Sequence, residues 1–166
     1  PYTKITYYPD FERFGHSTLE DDMIRLITKR TYDAAAVTDP NVSIFLNEKK
    51  LDFKSFEKYT ELYLGDKQEV PRIYQEFSSR WALCVAVNPN QQFEQVSFVN
   101  GITTHQGGKH VEYITNQICK KLAEYIDKKK KVKVKPAHIK ENIFIFLRCT
   151  IDDPSFNSQI KEFLTT

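Results

Sequence analysis

Cysteine is scarce in this chain, and its spacing matches no familiar pattern. Cys84, Cys119 and Cys149 are the full complement. They are odd in number and widely spaced, with no C-x-x-C pair, which excludes a disulfide framework and a zinc-ribbon pattern. Reduced core thiols in an intracellular protein are expected. Five glycines and seven prolines in 166 residues are too few for a collagen-like or Pro/Gly-rich disordered chain. No run approaches the ~20 apolar residues of a membrane span, so no membrane partner is predicted. No signal peptide is read ahead of the first strand candidate, Thr3–Tyr8. The first residue is Pro1 rather than Met, which suggests a piece of a longer polypeptide. The length suits one domain, and 40% hydrophobic with 13% aromatic residues supplies a core.

Net charge is also small, at +2, and argues at first against a nucleic-acid partner. The average conceals a block. Residues 120–140 carry nine lysines against Glu124 and Asp127, a local excess of seven positive charges. The rest of the chain is therefore net negative by five. Cations suit a helix C-terminus, but that accounts for one or two lysines. Lys128 to Lys131, continued by Lys133 and Lys135, crowd like charges and are expected to protrude as a loop. A polyanion is the natural counterpart. With no base-reading groups nearby, the expectation is contact with the DNA backbone, salt-dependent and with little sequence preference.

Periodicity then sketches the fold. Thr3–Tyr8 alternates as a strand and stops at Pro9-Asp10. Thr18-x-x-Asp21 resembles a capping box, opening a helix over about 19–36 on Leu19, Met23, Ile27 and Ala34. Residues 42–47 read as a strand, 48–54 as a turn and short strand, and 56–64 as a short helix. Strands are predicted at 73–77 and 81–87, with a turn at Ser78-Ser79, and again at 93–100. A long helix follows Gly107-Gly108, with Val111, Ile114, Ile118, Leu122 and Ile126 on one face. Ile143, Ile145, Leu147, Cys149 and Ile151 alternate as a last strand. These elements predict one α+β domain, two main helices on a mixed, antiparallel-rich sheet.

Other motifs carry less. Gly107-Gly108 before a helix matches neither G-x-x-x-x-G-K-[ST] nor G-x-G-x-x-G, and a tight turn explains it. His105 and His110 lack the companions of a metal site, so no metal ligand is assigned. Glu20-Asp21-Asp22 and Asp152-Asp153 read as a helix start and a strand end.

Val96-Ser-Phe-Val-Asn-Gly-Ile-Thr-Thr-His-Gln-Gly-Gly-Lys-His110 resembles the S-F-V-N-x-I-x-T-x-x-G-G-x-H signature of type IIA DNA topoisomerases. Four further stretches agree with the eukaryotic enzymes: Thr3–Gly15, Arg30-Thr-Tyr-Asp33, Arg80-Trp81 and Asp152-Asp-Pro-Ser-Phe-Asn-Ser-Gln-Ile-Lys-Glu162. The resemblance covers essentially the whole chain. It implies that residues 1–166 are a transducer domain, with a left-handed βαβ unit as in domain 2 of a ribosomal small-subunit protein. Right-handed crossovers are the general rule, so this handedness comes from the resemblance alone.

The resemblance also implies roles. Gln159-Ile160-Lys161 stands where the family has its Q-T-K loop, whose lysine reaches the γ-phosphate of ATP in the neighbouring ATP-binding domain. Ile160 replaces the threonine, so a hydroxyl is absent. Lys128, Lys129 and Lys130 fall where eukaryotic members carry a DNA-contacting lysine loop. The parent is then an ATP-hydrolysing DNA topoisomerase, a nuclear homodimer using ATP and Mg2+ held mainly by the ATP-binding domain. Its partners are duplex DNA and that adjacent domain. No catalytic residue is assigned within this chain, which alone is expected to be inactive. The alternative is a stand-alone, sequence-nonspecific nucleic-acid-binding module without ATPase coupling.

Overall fold

The computed structural model describes residues 1–53 and 55–166. Its centre is a five-stranded mixed sheet. Strand β3 (Arg72–Ser78) pairs antiparallel with β4 (Trp81–Val87), and β4 pairs antiparallel with β8 (Ile143–Cys149). β8 pairs parallel with β5 (Glu94–Val99), which turns back antiparallel into β6 (Ile102–Thr103). The spatial order is β3-β4-β8-β5-β6. The chain passes from β5 to its parallel neighbour β8 through helices α3 (Lys109–Lys130) and α4 (Pro136–Lys140), which makes the βαβ unit.

Helices cover both faces of the sheet. Helix α1 (Asp21–Val37) and helix α2 (Phe56–Leu64) pack over Ala82, Cys84 and Ala86 of β4, Phe98 of β5 and Phe146 of β8. Their side is rich in aromatic contacts: Phe98 meets Tyr59 and Phe56 edge-on at 5.8 and 5.9 Å. Helices α3 and α4 cover Leu83, Ile143, Ile145 and Leu147 on the other side. β8 therefore buries both of its faces, as an interior strand between two covered sides must. Each fully buried Phe or Ile contributes about 1.5–3 kcal/mol of transfer free energy. All three cysteines are free and buried. Burial pushes the Cys149 thiol up to about 12, so it stays a neutral core side chain.

Several expectations shift. Thr3–Tyr8 is not a strand: a strand needs a ladder partner, and none is hydrogen-bonded to it among the described residues. Tyr2, Ile5, Tyr7 and Tyr8 are all strongly exposed. Thr18 does not cap α1. The cap position is Glu20, whose carboxylate is engaged by His16 Nδ1 at 2.7 Å, while Asp21 and Asp22 still favour the helix dipole. The predicted 42–47 strand contracts to β1 (Phe45–Leu46), paired with β2 (Lys49–Lys50). Asn47 and Glu48 both adopt positive φ, the conformation of a tight hairpin turn. Ile151 lies beyond β8. On α3 the buried side chains are His110, Val111, Thr115 and Cys119. Ile114, Ile118, Ala123 and Ile126 flank them, and Leu122 falls outside, 39% exposed.

Candidate functional site

The signature stretch folds as strand, turn and helix start. Asn100 (φ 51°) and Gly101 (φ 80°) form the Asn-Gly turn that reverses β5 into β6, a signal of positive φ legible in the sequence. The Asn100 side chain also faces the far end of the chain. Its Nδ2 donates to the Ile151 carbonyl at 2.9 Å, and its Oδ1 accepts from the Ile151 amide at 2.8 Å. Ser97 and Thr104 hydroxyls meet at 2.5 Å, and Thr104 Oγ1 lies 3.2 Å from His110 Nε2. His110 is buried, which lowers its pKa to about 4. It is a neutral structural imidazole. Among the described residues, no group of three or more His, Cys, Asp or Glu is placed to hold a metal ion.

Gly107-Gly108 does more than turn the chain. The pair is strand β7 (Gly107–Gly108), parallel to β9 (Phe163–Leu164), with Gly107 opposite Phe163 and Gly108 opposite Leu164. Gly108 has φ 136°, and a Cβ there would lie 2.4 Å from the Leu164 carbonyl oxygen. Only a hydrogen leaves room for the two backbones. Leu164 is itself fully buried with Val99 and Cys149.

This lock carries the Gln159-Ile160-Lys161 loop. Phe156 bridges antiparallel to Leu164, and the Asn157 amide donates to the Phe163 carbonyl at 3.1 Å. The chain thus closes on itself, leaving Ser158–Lys161 as the tip. The Lys161 amide donates to Ser158 O at 3.1 Å. Lys161 has φ 61°, an uncommon left-handed conformation for a lysine and the kind of local strain found at binding sites. Its ammonium rests 5.7 Å from the Phe156 ring centroid. Gln159 is exposed, and Ile160 is 72% exposed, pointing an apolar side chain into solvent at the tip.

The lysine run divides between two structures. Lys128, Lys129 and Lys130 form the last turn of α3, and Lys131 closes the helix with φ 55°. Only the stretch from Lys131 to Lys135 is irregular, so the protruding loop expected for the whole run begins three residues late. The amphipathic pattern continues through Ile126, and the macrodipole favours cations in the last turn. All six lysines from 128 to 135 are exposed, and none is in an ion pair among the described residues. Lys129 leans over Tyr125 at 5.2 Å.

The family model for DNA gyrase B matches residues 42–166. The chain belongs to the DNA gyrase B family of type II topoisomerases. A probable DNA topoisomerase 2 of Dictyostelium discoideum is 44% identical over 168 residues, covering 99% of this chain and 11% of the relative. The chain therefore spans about a tenth of that relative's length. The crystal structure of the ATPase region of Saccharomyces cerevisiae topoisomerase II superposes with a TM-score of 0.85 at 41% identity, covering 95% of this chain and 40% of that one. The ATPase and transducer domains of Balamuthia mandrillaris topoisomerase II give a TM-score of 0.86 at 34% identity, covering 95% and 40%. Both topoisomerase structures share the α+β fold seen here.

Proposed function

We propose that residues 1–166 are the transducer domain of an ATP-dependent type IIA DNA topoisomerase, relaying nucleotide state to the movement of its DNA gate. The observation that carries this reading is the Lys161 tip: an exposed lysine in a left-handed conformation, on a loop locked to the start of α3. The chain's similarity to regions named for ATPase and transducer domains supports it.

The chemistry follows from the tip's groups. A lysine ammonium is a compact cation on a flexible stem, suited to a terminal phosphate, and the exposed Gln159 lies two residues before it on the same loop. These residues fit a nucleotide phosphate. Mg2+ is assigned to the ATP-binding domain that would hold the rest of the nucleotide. Lys161 leaves the Phe156 ring to meet the γ-phosphate. At 4 Å and an effective dielectric of 20, such a pair is worth about 4 kcal/mol before desolvation. Reversing a two-state equilibrium takes about 5.5 kcal/mol, more than one contact supplies. Two protomers of a homodimer, each docking one lysine, exceed it. Phosphate release then frees the lysine and lets the domains swing. The Ile160 side chain offers no hydroxyl, so Lys161 and the loop backbone carry the contact.

Replacing Lys161 with Ala in the full-length parent is expected to raise the KM for ATP and lower ATP-driven strand passage by about tenfold or more. That corresponds to losing ~1.4 kcal/mol of the contact. Wild-type ATPase and strand passage in that variant would refute the reading.

Lys128, Lys129 and Lys130 are assigned to the DNA backbone, because their unpaired charge is concentrated at one helix end. Fluorescence anisotropy with duplex DNA at several salt concentrations tests this. Changing the three lysines to Gln should weaken binding equally for unrelated sequences. It should flatten the log–log salt dependence by about one unit per lysine. An unchanged slope would remove these residues from the DNA surface. A nuclear location and a homodimeric parent complete the proposal, in keeping with the eukaryotic character of the relatives.

A further inference from the structure

Lys161 is followed at once by Glu162, a carboxylate one residue from the ammonium it would neutralise. The structure holds the two apart. The Gln106 amide donates to the Glu162 carbonyl at 3.0 Å, and the Gln106 side-chain Nε2 donates to Glu162 Oε2 at 2.9 Å. One glutamine thus binds both the backbone and the side chain of the residue next to the lysine, across 56 positions of sequence. Its own base is rigid. The Gly107 amide donates to Thr104 O at 2.9 Å, and Thr104 is fully buried in the hydroxyl pair with Ser97. Gly107 and Gly108 then continue directly into the pairing with Phe163 and Leu164.

We propose that Gln106 is a positioning residue for the Lys161–phosphate contact. It clamps Glu162 so that the loop tip has a fixed origin and the lysine stays free of its neighbouring carboxylate. This rests on the reading of Lys161 given above. Two effects combine in the clamp. The backbone bond sets where the tip leaves the sheet edge, which pre-organises the lysine. The side-chain bond occupies Glu162 Oε2, and Lys161 makes no ion pair among the described residues, lying over Phe156 instead. Gln106 is exposed, so its loss touches no core contact, and a solvent-facing hydrogen bond adds little to global stability. A purely structural role would therefore leave no kinetic trace.

The test uses the full-length parent enzyme with four variants, measuring KM for ATP, kcat and the thermal midpoint. Gln106→Ala is expected to raise KM for ATP about five- to tenfold, with kcat at saturating ATP within about twofold and an unchanged midpoint. Glu162→Gln preserves an acceptor for the clamp while removing the charge, and should stay within about twofold of wild type. Combining Gln106→Ala with Glu162→Gln should recover at least half of the KM increase, because no carboxylate is left to capture the lysine. Lys161→Ala is the reference. If Lys161→Ala is impaired while Gln106→Ala keeps the wild-type KM, the clamp is refuted and the lysine reading survives. If Lys161→Ala is silent, the lysine reading fails and takes the clamp with it. A Gln106→Ala defect that Glu162→Gln does not relieve also overturns the proposal as stated.

Discussion

Gly108→Ala will detach the closing strand. The added Cβ would sit 2.4, 2.5 and 2.8 Å from the carbonyl oxygen, amide nitrogen and Cα of Leu164. All three are backbone atoms, so no side-chain rotation relieves the clash. The φ of 136° adds the strain that any L-residue meets in that region. To make room, β9 must leave β7, and Leu164 must leave a site where it is fully buried. Exposing one leucine costs about 1.5–3 kcal/mol. With the backbone strain and lost pairing, the expected destabilisation is at least about 3 kcal/mol. For a domain of this size that lowers Tm by roughly 6–12 °C. Urea unfolding checks the energy, and hydrogen exchange at Phe163 and Leu164 checks the mechanism. Gly107→Ala is the control. Its Cβ would meet nothing nearer than 3.6 Å, so only the φ of 74° counts, at about 1 kcal/mol. Equal effects at the two glycines would refute the close-approach argument.

Asp33→Ala is the second large loss, and it falls on the opposite face of the sheet. Asp33 is 2% exposed on α1. It accepts from Tyr59 Oη of α2 at 2.6 Å, Lys29 Nζ at 2.8 Å and Thr103 Oγ1 of β6 at 3.3 Å. One carboxylate therefore joins two helices and an edge strand. Burial, reinforced by the bond to Asp33, drives the Tyr59 phenol far up, so it remains a donor throughout the ordinary pH range. Removing Asp33 leaves the phenol with Tyr63 Oη at 3.0 Å and strands the remaining donors. The expected cost is about 2–4 kcal/mol. A double-mutant cycle with Tyr59→Phe should show a coupling of at least ~0.5 kcal/mol, and purely additive losses would contradict the shared bond. The raised phenol pKa also has a sign. It stabilises the fold below the unfolded-state value of 10.0. That contribution is lost as pH rises above it, because the unfolded chain ionises and the folded one does not.

How legible each part was follows from how local its cause is. The α2 helix at 56–64 and the 81–87 strand lay open to reading, because their caps, breakers and periodicity are contiguous. Thr3–Tyr8 misled because alternation describes a face, whereas a strand also requires a partner edge. β6 was missed although Asn100-Gly101 announced it, since two residues of ladder show no period. The alternating apolar positions of β8 were recognised, but Phe144 and Phe146 between them were not assigned a second buried face. That depends on helices more than eighty residues upstream. Gly107-Gly108 reads in the sequence as a tight turn, whereas the turn lies at His105-Gln106 and the pair itself is strand β7. Its reason for being glycine is Leu164, which lies 56 residues later. Lys161 was located only through resemblance, because a single exposed lysine has no composition signal. Its left-handed backbone and the Gln106 clamp exist only in three dimensions.

Helix α3 has a consequence of scale. Its 22 residues span about 33 Å at the usual rise. Gly108, its cap, abuts the strand that carries the Lys161 tip, and Lys128–Lys130 end it. No joint interrupts the helix, so Lys128–Lys130 stand one helix length away from the strand that leads out of the Lys161 loop. A swing of ~5° about Gly108 sweeps the far lysines through roughly 3 Å, about the rise between neighbouring phosphates on one DNA strand. Because Val111, Cys119 and Ile126 of α3 pack on Leu83, Ile143 and Ile145, such a swing carries the sheet along with the helix, and the lysine end moves with the fold as one body.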